Sequence, residues 1–315
     1  MNRIFSSIGV AALALSAAVA GAQTFPMQPV NMFVNFPPGG LTDMMGRSLA
    51  QAMSEALKQP VVVQNKAGAG GAIGVSTVAM APKSGYTTGF VAVAALTTLP
   101  QMREVSYRID SLDYVCRTFD VPVYLLVAPA SPFDSAKTLI DFAKKHPGKL
   151  NYATVGGGSL PHLAALDFTS KANIDMAHIP YQGEAPAVMA LLGKQVEAYF
   201  GTSAVAETHQ LRRLAVAADK RVDSSPNTPT LTELGYPVIR SVSGGIIAPE
   251  GTDAGARDTL EAACAQAVKA PQYLATLKTL GVQGAYAPGA DFKAGVLAEA
   301  ARNRLVLRDA QLLLK

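Results

Sequence analysis

The chain has 315 residues, enough for one large or two medium domains. Hydrophobic residues make up 49% and charged residues 16%, with a net charge of +4, which excludes a disordered or strongly basic protein. No Lys/Arg run and no basic stretch interleaved with aromatics is present, so nucleic acid is not an expected partner.

The N-terminus reads as an address. Arg3 supplies a positive start, residues 4–19 are apolar, and Ala20-Gly21-Ala22 is a small-residue cleavage motif. The apolar run is short for a membrane span. Residues 1–22 are therefore expected to be a signal peptide cut after Ala22, leaving an exported mature chain. Export permits a disulfide between Cys116 and Cys264, but spacing alone cannot bring their Cα atoms together, and two separately buried thiols are the expectation.

An apolar strand over residues 30–36 runs into Pro37-Pro38-Gly39-Gly40 and then a helix over 41–57, whose apolar residues recur at helical spacing. Proline ends the strand, and glycine lets the backbone turn and approach a small molecule. Thr42 or Asp43 can cap the helix, and Asp43 can pair with Arg47 one turn on. Free N–H groups at such a helix start suit a carboxylate. A strand over 61–64, a Gly-rich loop, a helix over 72–81 and a strand over 90–94 follow, which suggests a parallel α/β sheet.

A second α/β unit follows. Strands are expected over 123–128, 150–154, 176–179, 196–200 and 214–218, with helices over 138–145, 162–171 and 185–192. Residues 219–229 are polar and turn-rich. An extended run over 238–248, helices over 253–269 and 271–280, a strand over 282–286 and a helix over about 291–312 complete the chain.

The glycines at 68, 70, 71 and 74 do not fit G-x-G-x-x-G, because Ile73 stands at the third glycine position. The loop reads as a tight turn reaching the same crevice as the Pro-Pro-Gly-Gly loop. Gly156-Gly157-Gly158-Ser159 is the counterpart in the second unit, with Ser159 as helix cap and His162 one turn later, either donating to a ligand or packed inside. A nucleophile elbow fails because Pro161 replaces the last glycine. Tyr181 either lines the cleft or packs within its loop. Gly201-Thr202-Ser203 is a further strand end. The four histidines show no metal spacing, so neither a metal nor a cofactor is expected. Loops rich in Gly, Ser and Thr, with no general base or nucleophile in place, point to binding by neutral dipoles and not to catalysis.

These blocks resemble a known family. Phe36 to Asp43, residues 61–74, Ser84-Gly85-Tyr86-Thr87, residues 147–153, Gly158-Ser159 with His162, and residues 180–187 match, in order and spacing, the Bug receptors, the periplasmic solute-binding proteins of tripartite tricarboxylate transporters. The resemblance covers essentially the whole mature chain. It implies two Rossmann-like α/β lobes of the type II periplasmic-binding-protein kind, with lobe 1 made of residues 23–122 plus 244–315 and lobe 2 of residues 123–243. It implies a monomer that captures a small carboxylate (dicarboxylate, amino acid or aromatic acid) and hands it to membrane subunits. The ligand would be held by Phe36, Pro38, Gly39, Gly40, Thr42 and Asp43 with Ala69, Gly70 and Thr97 from lobe 1. From lobe 2 would come Gly157, Gly158, Ser159, His162, Tyr181, Gly201 and Ser203. Residues 94–103 depart from the family pattern, and Gly201 stands where many members have a polar residue. The alternatives are a receptor presenting its ligand to a sensor kinase, or an exported hydrolase using Ser159 and His162.

Overall fold

The computed structural model describes residues 25–314, so the signal-peptide reading lies outside the described residues. In chain order the elements are β1 (Val30–Val34), α1 (Leu41–Leu57), β2 (Val61–Asn65), α2 (Ala72–Ala79), β3 (Thr87–Ala92), α3 (Ala94–Thr97), α4 (Leu99–Met102), β4 (Leu112–Pro122), β5 (Tyr124–Val127), α5 (Ala136–Lys145), β6 (Leu150–Thr154), α6 (Leu160–Ala172), β7 (Met176–Pro180), α7 (Glu184–Leu192), β8 (Ala198–Gly201), α8 (Ser203–His209), β9 (Arg212–Val216), β10 (Ser241–Pro249), α9 (Ala254–Ala267), α10 (Pro271–Thr279), β11 (Gln283–Pro288) and α11 (Gly289–Asp309).

Two sheets organise the molecule, with strand orders β11-β4-β10-β3-β1-β2 and β7-β6-β8-β5-β9. The first is parallel across β2-β1-β3, and β10, β4 and β11 extend it as antiparallel strands. In β1 the side chains of Val30, Met32 and Val34 are buried in alternation. In α1, Leu41, Met45, Leu49 and Met53 recur every fourth residue and form the buried face, which packs on α9 and α10. Helices from the last third of the chain thus pack beside α1, and strands β10 and β11 of that third belong to the same sheet as β1 to β4.

The chain passes between sheets twice. It leaves lobe 1 at Pro122 and enters lobe 2 at Tyr124, and it returns where Arg240 donates to Ala217 and β10 begins at Ser241. Arg240 ties the lobes together at this return. Its Nε meets Asp167 of α6 at 2.7 Å and its guanidinium donates to Asn303 of α11 at 2.7 Å.

One expectation is corrected. Cys116 of β4 and Cys264 of α9 are not separate thiols but a disulfide, with Cα atoms 6.6 Å apart. The reason is β4 itself, a strand of 11 residues whose apolar pattern is interrupted by Asp113, Arg117 and Asp120. It lies between β10 and β11, and its Cys116 is fully buried beneath α9. The family-atypical stretch over 94–103 forms the short helices α3 and α4.

Candidate functional site

The strand ends of both lobes face one cavity of about 60 Å³. A cavity of that size admits a few water-sized groups, at roughly 10–15 Å³ each, and hence a small ligand. Phe36, Pro37, Pro38, Gly40, Leu41 and Thr42 line it from lobe 1; Ser159, Leu160, Pro161, Glu184, Ala185 and Thr202 line it from lobe 2. Three helix N-termini therefore meet there, those of α1, α6 and α7. The first N–H groups of a helix have no partner within it and carry the positive end of its dipole.

On lobe 1, α1 starts at Leu41 with Gly40 as its cap residue and no side-chain cap, so neither Thr42 nor Asp43 caps it. Asp43 instead braces the loop from inside. Its carboxylate accepts from Gly39 N–H at 2.9 Å, Arg47 at 3.0 Å and Asn65 Nδ2 at 2.7 Å, and Asn65 Nδ2 also donates to Phe36 O at 2.9 Å. Burial works against the Asp43 charge, but the hydrogen bonds from Arg47, Asn65 and Gly39 outweigh it and hold its pKa below the usual carboxylate value. The charged side chain of this turn is spent on its own shape and does not line the cavity.

On lobe 2, Ser159 caps α6 by accepting from His162 N–H at 3.3 Å, as the sequence suggested. Its hydroxyl donates to Gly156 O at 2.8 Å, not to a histidine ring. The His162 ring stacks on His178 at 4.0 Å between centroids, and its Nδ1 accepts from Gly158 N–H. Burial lowers the pKa of His162 to about 3, with His178 adding to the effect, and burial lowers that of His178 to about 4. His162 is thus a neutral packing residue, and the Ser159 hydroxyl and the His162 ring each bond to other partners and not to one another.

Glu184, the first residue of α7, crosses the cleft. Its Oε2 accepts from the Leu41 N–H of α1 at 2.7 Å, and the Thr202 hydroxyl stands 3.5 Å from its Oε1. Burial with no cation beside it pushes its pKa up to about 7, against the pull of the Leu41 and Thr202 bonds. Gly183, with φ of +110°, makes this crossing possible, because a Cβ there would stand 3.1 Å from Pro37 of the opposite lobe.

Of the residues expected from sequence, the cavity gathers Phe36, Pro38, Gly40, Thr42 and Ser159. Gly70 lines an adjoining hollow of about 200 Å³ that shares Phe36, Val155 and Gln182 with it. The others lie elsewhere, for local reasons. The Gly39 N–H is used by Asp43. Ala69 is exposed and Gly157 half-buried, and neither borders the cavity. Thr97 is fully buried and donates to Glu299 at 3.0 Å, inside the network that reaches Arg240 through Asn303. Gly158 carries the interlobe bond from Thr98, its carbonyl accepting from that hydroxyl. Tyr181 packs against the smaller core of lobe 2. Gly201 lies under the Tyr199 ring, 2.2 Å from where a Cβ would begin, which leaves no room for a side chain there. Ser203 donates to Gly281 O of lobe 1 at 2.9 Å, and Thr202 is the member of that trio at the cavity. Sequence reasoning missed Glu184 and Thr202. The only signal was their place at a helix start after a strand.

Comparison with known proteins agrees with this geometry. The family described as tripartite tricarboxylate transporter family receptor matches residues 45–312. Protein BugT of Bordetella pertussis is 38% identical over 262 residues, 80% of this chain and 80% of that one. The solved periplasmic binding protein BugD is 30% identical with a TM-score of 0.86, covering 92% of this chain and 100% of its own. R. palustris Rpa4515, solved with adipate, is 28% identical with a TM-score of 0.87, covering 91% of this chain and 98% of its own. By sequence over most of its length and by fold, the chain belongs to the tripartite tricarboxylate transporter receptors, the Bug family, which are periplasmic solute receptors and not enzymes.

Proposed function

We propose that this protein is a periplasmic receptor that captures a small carboxylate between its lobes for uptake by a tripartite tricarboxylate-type transporter. The observation that carries this reading is the convergence of the α1, α6 and α7 N-termini on one interlobe cavity. Oriented N–H dipoles hold an anion without a buried counter-cation, and the cavity has no Lys, Arg or His among its lining residues. The adipate bound to Rpa4515 supports the same ligand class. The chain is delivered by a leader cut after Ala22, works as a monomer, and releases its ligand to membrane subunits by opening about the crossings near residues 122 and 241.

Calorimetric titration of the mature chain with a panel of small carboxylic acids tests this. Micromolar or tighter binding of at least one acid is expected, with a mass-spectrometric search for the same acid in gently purified protein. Absence of binding across the panel, with nothing co-purifying, overturns the reading.

A further inference from the structure

The anion-holding end of α1 already meets a carboxylate, and the chain itself supplies it. Glu184 Oε2 takes the Leu41 N–H at 2.7 Å and lies 3.0 Å from where a side chain on Gly40 would begin. A helix N-terminus carries about half a positive charge, so α1, α6 and α7 together offer roughly one and a half. An ionised Glu184 offsets about one of these. The remainder suits one ligand carboxylate, held by N–H groups such as those of Leu160 and Ala185 at the starts of α6 and α7. A second ligand carboxylate would face Glu184 with no cation in the cavity lining to balance it. A hydrogen-bond donor, above all an ammonium, would complete Glu184 instead.

We infer that Glu184 is a fixed carboxylate of the binding site, so that the ligand is a small monocarboxylate carrying a donor, of the zwitterionic amino-acid class, and not a diacid. The inference rests on the carboxylate-receptor reading above and narrows it. The size of the cavity agrees, since about 60 Å³ suits an amino acid with a short side chain. The surroundings of Glu184 agree as well. Asp43 of α1 is turned toward Gly39, Arg47 and Asn65. Tyr199 of β8 is buried with a hydroxyl that has no hydrogen-bond partner, and burial together with Glu184 keeps it neutral. His162 of α6 is held neutral by burial and its stack on His178. The Glu184 carboxyl, with its pKa pushed up to about 7 by burial, is thus the group of this site that changes charge near neutrality. An incoming ammonium lowers that pKa and expels a proton, whereas a diacid raises it and takes one up.

The test is calorimetry of the mature protein and of Glu184→Gln with alanine, serine and threonine against malonate and succinate. At pH 8 the wild type is expected to bind one of the amino acids at least about tenfold tighter than either diacid. Glu184→Gln is expected to lose at least about tenfold for that amino acid and to gain for the diacids. Titrations at pH 7 in buffers of different ionisation enthalpy should show proton release of up to about one half per amino acid bound, absent in Glu184→Gln. Should that variant fail to fold, the wild-type proton count decides alone. Diacids binding as tightly as amino acids at pH 8, a folded Glu184→Gln with unchanged preference, or proton uptake on amino-acid binding each overturn the inference while leaving the receptor reading intact. If neither class binds and the wider acid panel is also silent, both fall.

Discussion

The jaws of the cleft share one plan, a strand end that runs into a helix N-terminus, but they spend their side chains differently. In lobe 1 the polar residues of the β1–α1 turn look inward. Asp43 gathers Gly39, Arg47 and Asn65, and the residues left to line the cavity are Phe36, Pro37, Pro38, Gly40, Leu41 and Thr42. In lobe 2 the β7–α7 turn sends Glu184 outward across the cleft, and the start of α8 adds Thr202. One jaw is a braced turn whose Gly39 and Leu41 N–H groups already hold carboxylates of the chain itself, and the other sends a carboxylate across the cleft, where on the inference above it tells ligands apart. The difference teaches where to look for specificity in this fold: in the turn whose polar residues are not consumed by their own loop.

The brace extends beneath lobe 1, and its removal should have the largest effect. The Cys116–Cys264 disulfide joins β4 to α9 across 148 residues of chain and so restricts the unfolded state strongly. Among the described residues no other cysteine exists, so lobe 2 has no such staple. Cys116→Ser with Cys264→Ser should cost about 3–5 kcal/mol, read by denaturant unfolding. If the double variant unfolds at the wild-type midpoint, the staple is not what stiffens lobe 1 relative to lobe 2.

Next in size is a test that the lobe 1 jaw acts through its backbone. Gly40 has φ of −89° and ψ of 173°, an ordinary extended conformation that a larger residue can adopt. A Cβ there lands 3.0 Å from Glu184 Oε2. Gly40→Val should therefore fold normally by circular dichroism yet bind ligand at least about a hundredfold more weakly, since its branches fill the space where the lobes meet. Wild-type affinity in this variant would remove the loop from the site.

Asp43→Asn tests the brace itself. Asparagine keeps the shape but loses the charge-assisted bonds, at a cost of about 1.5–3 kcal/mol. The acid limb separates this from simple misfolding. Because the folded pKa of Asp43 lies below its unfolded value, the stability it contributes is fully present above about pH 4 and is lost as pH falls through the folded value. The variant should lack that part of the acid unfolding seen in the wild type. Equal acid profiles would show that Asp43 is not the group responsible.

The brace and the outward jaw were not equally legible in the sequence. The helix from Leu41 to Leu57 was read to the residue, because its apolar face repeats locally and Pro60 ends it. The Phe36 to Gly40 turn and the Ser159 cap were legible for the same reason: each is decided by a few neighbouring residues. Glu184 was not, because its partner Leu41 lies 143 residues away and exists only when the lobes meet. The choice of Thr202 over Ser203 was not legible either, because the Ser203 hydroxyl is taken by Gly281 O, 78 residues away in sequence. The disulfide was hidden behind β4, whose inward and outward residues do not alternate cleanly, with register shifts in its pairing to β10 and β11 and charged side chains in its run.

The smallest expected effects come from the two rims where the jaws touch. On one rim the Thr98 hydroxyl shares its one proton between Gly158 O and Ala94 O of its own lobe, and on the other the Ser203 hydroxyl donates to Gly281 O at 2.9 Å. Each joins the lobes, so its loss should weaken ligand binding more than it lowers the melting temperature of ligand-free protein. Thr98→Val removes one neutral hydrogen bond and should cost about 1 kcal/mol of closure, roughly fivefold in affinity. Ser203→Ala should cost less, because Ser224 Oγ stands 3.4 Å from the same carbonyl and can take over as donor. The order of the two variants in a calorimetric titration is the measurement. If Ser203→Ala proves the costlier, the Gly281 side of the cleft governs closure, and the braced jaw with its α3–α4 rim is the passive partner.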